Sequence, residues 1–229
     1  RPVLLNLGQG VAWDGWHGRG ERSGHAEDYP EYAKAGDVLS FDIYPVTHPH
    51  PDVRGRLEFT GRGVRRLLAH SDGKKPVWAV IATGHVDDAR TRPTPQQLRC
   101  MVWQAIACGA SGIVYFVHEF APRFDEASLL SRADVRQAVR ALNEELLAAA
   151  PMLHGRVVPD ALRPLDANDD TIAVRVHEHE GAWFAFVASL SPEPRTVTFA
   201  ADGVVRARAL AESREVTLVA ATLRDTFDG

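Results

Sequence analysis

The sequence has little of what would set it outside the ordinary globular class. Only two of its 229 residues are cysteine, which excludes a disulfide-built scaffold. Those two, Cys100 and Cys108, fall in one expected helix, about 12 Å apart along its axis, too far to bridge each other. No apolar run approaches the roughly 18 residues needed to cross a bilayer, so no membrane partner is expected. Charge of one sign is also lacking: 26 Lys and Arg against 30 Asp and Glu give a net charge of -4. The densest basic cluster, Arg62, Arg65 and Arg66, has the spacing of one solvated helix face, so no nucleic acid partner is expected either. No Walker loop, G-x-S-x-G or G-x-G-x-x-G follows a strand pattern, and Gly8-Gln9-Gly10 is too short to count; no cofactor is expected. A signal peptide is absent too, but the chain opens at Arg1 rather than Met, and the expectation is that residues upstream have been removed. The compartment stays unassigned.

What is present is 45% apolar and 24% charged residues, enough for one sizeable core and a smaller second one. Four short runs rich in β-branched and aromatic residues begin at Val3 (VLLNLG), Val38 (VLSFDIYPV), Val77 (VWAVIAT) and Ile113 (IVYFVHEF). Each leads into a polar loop, as buried parallel strands do. Helical patterns lie between them. Thr94-Pro95-Gln96-Gln97 is a capping box with proline at the first helical position, followed by Leu98, Met101, Val102, Ala105 and Ile106 on one face. A longer helix is expected from about Ser131 to Ala150. Alternation of strand and helix at this period predicts βα units and a parallel sheet.

From about Arg156 the texture changes. Alternating stretches at Thr171–His177, Trp183–Leu190, Thr196–Ala200, Val204–Leu210 and Val216–Ala220 are separated by Asn168-Asp169-Asp170, Glu180-Gly181, Ser191-Pro192 and Asp202-Gly203, which are hairpin signals. The expected architecture is α/β: about four parallel βα units over residues 1–153, then a small antiparallel β-sandwich over 154–229. The sandwich is expected to lack its last strand, because Asp228-Gly229 is a turn that normally leads into one more. A whole eightfold barrel takes roughly 250 residues. The first part therefore corresponds to half a barrel with open strand edges, and a missing N-terminal half, in cis or from a partner chain, is expected to close it.

The segments PVLLNLGQG, DVLSFDIYPV, KPVWAVIAT and PTPQQLRCMVWQAIACGASGIVYFVHEF resemble strands five to eight of clan A glycoside hydrolases, over roughly Arg1 to Leu153. The likeness is strongest to a group of bacterial barrel proteins with a β-sandwich tail. It implies a carbohydrate ligand and a retaining hydrolase in which an acid/base glutamate ends strand four and a nucleophilic glutamate ends strand seven. The first position would lie upstream of Arg1. The second, where the motif reads like VWAVIE, is Ala82 in this sequence.

Strand alternation places Ser40, Asp42 and Tyr44 on one side of the second strand and Leu39, Phe41 and Ile43 on the other. Asp42 and Tyr44 then reach the C-terminal mouth, where barrel enzymes hold their sites; the tyrosine resembles the one that steadies the nucleophile in this superfamily. A structural hydrogen bond is the competing role. Asn6 on the first strand, and His118 with the adjacent Glu119 after the last, arrive at the same rim, as ligand contacts or as structural residues. The loop Gln9 to Trp16 offers Trp13 and Trp16 for stacking on sugar faces and Asp14 for gripping hydroxyls, or else the tryptophans only cover the rim. Of the histidine pairs, His48-Pro49-His50 lacks a third ligand and His177-Glu178-His179 sits in a hairpin arm, so no metal is expected. Two functions follow: a glycoside hydrolase-like protein acting on O-glycosyl bonds, or a catalytically inactive carbohydrate-binding barrel that lost its nucleophile at Ala82.

Overall fold

The computed structural model of the chain describes residues 1–18, 20–168, 171–210 and 214–227. They form two compact units, Arg1–Glu145 and Leu146–Gly229.

In the first unit strand and helix alternate: β1 (Leu4–Leu7), α1 (Tyr29–Ala33), β2 (Val38–Asp42), α2 (Phe59–His70), β3 (Val77–Ala82), α3 (Pro95–Ala107), β4 (Gly112–Phe116) and the single turn α4 (Ser128–Ser131). A long helix, α5 (Ala133–Leu153), begins here and runs into the second unit. The four strands form one sheet in the order β1-β2-β3-β4, every pair parallel. These are the four βα units that the apolar runs predicted.

The two-residue pleat sorts the sheet into unlike faces. Leu39, Phe41, Ala79 and Ile81 are buried, and α2 packs on β2 and β3 while α3 packs on β3. Fully burying side chains the size of Leu39, Phe41 and Ile81 stabilises by about 1.5–3 kcal/mol each. Gly63 of α2 permits a close approach: a Cβ there would run into the Phe41 ring. On the opposite face Asn6, Ser40, Trp78 and Gly112 line up in register across the sheet, followed by Asp42, Val80 and Val114, then Ala82 beside Phe116. Trp78 extends over Gly112, where a Cβ would lie 2.6 Å from its indole Cδ1. Among the described residues β1 and β4 are the sheet's edges.

Helix ends are satisfied by identifiable groups. Thr94 accepts from the Gln97 amide and Gln97 accepts from the Thr94 amide, completing the capping box that opens α3. Lys75 Nζ donates to the carbonyls of Ala33, Lys34 and Gly36 at 2.8, 3.0 and 2.6 Å, where α1 ends. The last helix differs from expectation at its end: it continues through Pro151 to Leu153. A proline in the final turn removes one hydrogen bond where the ladder is about to stop anyway.

The second unit is antiparallel, with strands β5 (Arg156–Val157), β6 (Arg163–Pro164), β7 (Ile172–His179), β8 (Ala182–Ser189), β9 (Arg195–Ala200), β10 (Ala207–Ala209), β11 (Arg214–Val216), β12 (Leu218–Val219) and β13 (Thr222–Phe227). They make sheets β5-β7-β8, β12-β13-β9-β6 and β10-β11. Ile172, Val174 and Val187 from the first meet Val197, Phe199, Leu223 and Phe227 from the second in one apolar cluster, which is a sandwich core. Two expected arms came out shorter or divided: Val204–Leu210 is extended only at β10, and Val216–Ala220 is split between β11 and β12. The strand Thr222–Phe227 was not anticipated; its Arg224 and Asp225 interrupt the alternation that marks the other arms. Asp228 and Gly229, on which the expected further turn rests, lie outside the described residues.

Two substitutions test this packing by denaturant unfolding. Gly63→Ala forces a methyl into the Phe41 ring and is expected to destabilise by about 1–3 kcal/mol, whereas Thr94→Ala removes a cap and is expected to destabilise by about 1 kcal/mol.

Candidate functional site

The polar face of the sheet ends in a connected group of side chains. Ser40 Oγ donates to Asn6 Oδ1 at 2.8 Å, and Asn6 Nδ2 donates to Asp42 Oδ1 at 2.8 Å. Because Asn6 is opposite Ser40 in the β1–β2 register, this relay follows from parallel pairing with no loop involved. Tyr44, two residues beyond Asp42 on the same side, is hydrogen-bonded to it. Burial of the phenol, then the negative charge of Asp42, that hydrogen bond and the charge of Asp87 push its pKa well above the ordinary value of 10. The hydroxyl therefore stays protonated at every physiological pH. The Tyr44 ring stacks on Phe116 at 5.3 Å between centroids with 27° between planes.

Around this pair the rim residues separate. His118 packs against Phe116, 5.1 Å between centroids, and edge-on to Phe124 at 5.8 Å. Glu119 is 3% exposed. Its carboxylate accepts from Arg132 Nη2 at 2.8 Å and lies 3.8 Å from His85 Nε2. His85 Nδ1 faces the carbonyls of Thr91 at 2.8 Å and Asp88 at 3.1 Å. Carbonyls only accept, so Nδ1 carries a proton. Ala82 is 3% exposed and sits beside Phe116 in the register.

The loop after β1 divides similarly. Asp14 is held by Arg62 at 2.7 Å and by Arg66 at 2.6 and 3.0 Å, from α2. The Arg66 hydrogen bonds first, then the charges of Arg66 and Arg62, lower its pKa against the opposing effect of burial. The basic cluster on α2 thus holds this loop. Trp13 lies edge-on to His48 at 5.3 Å and tilted over His50 at 4.7 Å. Trp16 instead lines a separate cleft of about 440 Å³, shared with Tyr29, Tyr32 and Arg22.

Neither histidine pair is arranged as metal ligands. His48 Nδ1 accepts from the His50 amide at 3.1 Å, which leaves Nε2 to donate to Gln9 Oε1 at 2.8 Å; burial lowers its pKa. His177 Nδ1 donates to the Gly155 carbonyl at 3.1 Å while its Nε2 accepts from Arg175 Nε at 3.0 Å, and burial lowers its pKa as well. Among the described residues no group of three or more His, Cys, Asp or Glu could hold a metal ion, and no helix is long and apolar enough to cross a membrane.

Asn6 and Asp42 are thus joined by a hydrogen bond, and Tyr44 and His118 through Phe116, whereas Asp14, Trp13, Trp16 and Glu119 are engaged elsewhere. Sequence reading missed Asp87, whose charge acts on both Tyr44 and His48. It also missed Phe120 and Phe124, and the clamp formed by Asp88. The paired Asp87-Asp88 in the loop that follows β3 was the available signal.

No family model matches the chain, and no curated protein matches it. Solved structures do. AmyP in complex with maltose aligns at 9% identity and TM-score 0.47, over 99% of this chain and 62% of that one. An AmyP variant in complex with maltotriose aligns at 7% identity and TM-score 0.49, over 83% and 53%. A noncanonic maltogenic alpha-amylase, AmyB from Thermotoga neapolitana, aligns at 12% identity and TM-score 0.47, over 87% and 50%. The chain spans less than two thirds of each of them.

The loops behind the mouth are clamped by Asp88, which accepts from the Arg90 amide at 2.9 Å, Thr91 Oγ1 at 2.9 Å and Arg54 Nη1 at 3.1 Å. Arg54 Nε in turn donates to the His48 carbonyl at 2.8 Å. The amide of Arg90 first, then the Thr91 and Arg54 hydrogen bonds, lower the Asp88 pKa from 3.8 to about 2. The folded state therefore holds this proton more weakly than the unfolded state. The stabilisation is full above pH 3.8 and disappears as pH falls through about 2. Melting temperatures of the natural protein and Asp88→Asn should differ near neutral pH and converge across that acid window.

Proposed function

We propose that this chain forms part of the carbohydrate-binding wall of a glycoside hydrolase-like (β/α) barrel, and that its own residues bind sugar without hydrolysing it. One observation carries this reading: the stacked Tyr44–Phe116 pair beside the Asn6–Asp42 hydrogen bond at the C-terminal ends of parallel strands. An apolar ring face adjoining fixed donors and acceptors suits a pyranose, whose C–H faces are apolar and whose edge carries hydroxyls. Asp42 has further acceptor capacity for sugar hydroxyls besides the lone pair that Asn6 occupies. The Tyr44 hydroxyl, its proton directed at Asp42, can accept from a sugar hydroxyl.

Retaining hydrolysis needs two carboxyl groups about 5–5.5 Å apart, one to attack and one to exchange a proton. At the position where the glycoside hydrolase resemblance expects the nucleophile, Ala82 presents a methyl group, which can neither attack an anomeric carbon nor stabilise its positive charge. Two other carboxylates expected near the rim are engaged: Asp14 by two guanidiniums and Glu119 by Arg132. Asp42 is left as a hydrogen-bonding group fixed by Asn6.

Calorimetric titration of the protein with a panel including maltose, maltotriose, cellobiose and xylobiose is expected to give binding to at least one sugar, with no turnover of the matching aryl glycosides. Asp42→Ala should weaken that binding about tenfold or more, since a hydrogen bond to a charged acceptor contributes about 1.5–3 kcal/mol. Turnover of any of these aryl glycosides by the natural protein would overturn the assignment, and its loss on neutralising Asp14, Asp42 or Glu119 would identify the carboxylate responsible.

A further inference from the structure

The Tyr44–Phe116 stack is the inner end of a longer row of rings. Phe116 stacks with Phe120 at 6.0 Å and 23°, and Phe120 leans on Phe124 at 5.5 Å and 37°. The two outer rings are 50% and 59% exposed. One exposed phenylalanine is ordinary, but four aromatic rings in contact, opening from a polar mouth to solvent, make a continuous apolar track.

The loop that carries the outer rings is pinned beneath them. Glu119 and Asp125 exchange backbone hydrogen bonds, both 2.9 Å, and the Phe120 amide donates to the His85 carbonyl at 2.9 Å. The buried Glu119 carboxylate is tied to Arg132, and Ser128 Oγ donates to the Val117 carbonyl at 2.9 Å. Holding exposed rings in fixed positions reduces the ordering entropy that a ligand would otherwise have to overcome.

We infer that this row receives the planar apolar part of a glycoside, an aryl or similarly flat aglycone, extending outward from a sugar at Tyr44, Asp42 and Asn6. This rests on the carbohydrate reading of the mouth and names the substrate class more closely. The polarity gradient supports it. Donors and acceptors gather at the inner end, whereas phenylalanine offers no hydrogen bond to a second sugar's hydroxyls, so a second pyranose on these half-exposed rings would rely on water alone for its edge. A flat apolar group has no such requirement. Glu119 acts here as a positioning residue: its carboxylate is buried beneath the loop.

The test is titration of the full-length protein with matched methyl and 4-nitrophenyl glycosides of the sugars above, and with free 4-nitrophenol. The aryl member of a bound pair should bind roughly tenfold more tightly. The double variant Phe120→Ala/Phe124→Ala should erase that advantage and leave methyl glycoside affinity within twofold. Glu119→Gln should reduce the aryl advantage in part, and Arg132→Lys should reduce it as well, because a single ammonium cannot reproduce the guanidinium fork. Equal affinity of methyl and aryl members, or equal loss of both in the double variant, overturns the proposal. So does sedimentation showing a dimer that the double variant dissociates, which would assign the rings to a second copy. Binding of 4-nitrophenol that depends on Phe120 and Phe124, without binding of any methyl glycoside, would uphold the aromatic track while removing the carbohydrate reading.

Discussion

The pleat of β2 is the constraint on which the mouth depends. Successive residues of an extended strand point to opposite sides, so burying Leu39, Phe41 and Ile43 commits Ser40, Asp42 and Tyr44 to the other side. A shift of one residue would put a carboxylate under α2 and a phenylalanine at the mouth, at a cost no local adjustment could offset. The close seating of Gly63 on Phe41 fixes the helix against that same strand. Parallel pairing then carries the arrangement sideways, setting Asn6 opposite Ser40 and within reach of Asp42. The polar group is thus a consequence of how the apolar face is packed.

That dependence explains which features were legible in the sequence. Strands with β-branched runs, the capping box at Thr94 and the division into a parallel and an antiparallel part could be read because each is written in neighbouring residues. The inward set on β2 followed from alternation alone. The partners of Asp14 and Glu119 were not legible, because Arg62 and Arg66 lie far along the chain and Arg132 lies across a loop whose path no periodicity records. An acidic residue near a predicted mouth reads the same whether it faces solvent or a guanidinium. The strand Thr222–Phe227 escaped for another reason: Asp225 shares a face with Leu223 and Phe227, which pack on the core, and a charged residue there hides the alternating pattern.

Carboxylates at the rim have consequently been divided between two kinds of work. Asp42 stays at the surface of the mouth, joined to neutral partners. Glu119, Asp88 and Asp14 each bind a guanidinium and serve as fasteners for the loops after β4, β3 and β1. Arginine suits this role, since its planar fork can bond to a carboxylate and to a carbonyl at once, as Arg54 does with Asp88 and His48. Rings rather than charges make up the row from Tyr44 to Phe124.

The contact between Trp78 and Gly112 carries an implication for how such a chain can change over generations. The indole lies where any side chain at residue 112 would have to stand, so the two positions hold one shared volume across β3 and β4. A larger residue at 112 is tolerable only in a lineage that has already shortened residue 78. A shortened residue 78 leaves a gap that favours a larger partner. Substitutions at this pair should therefore travel together through descent, with the intermediate genotypes rare, and the covariation would trace the β3–β4 pairing in sequences alone.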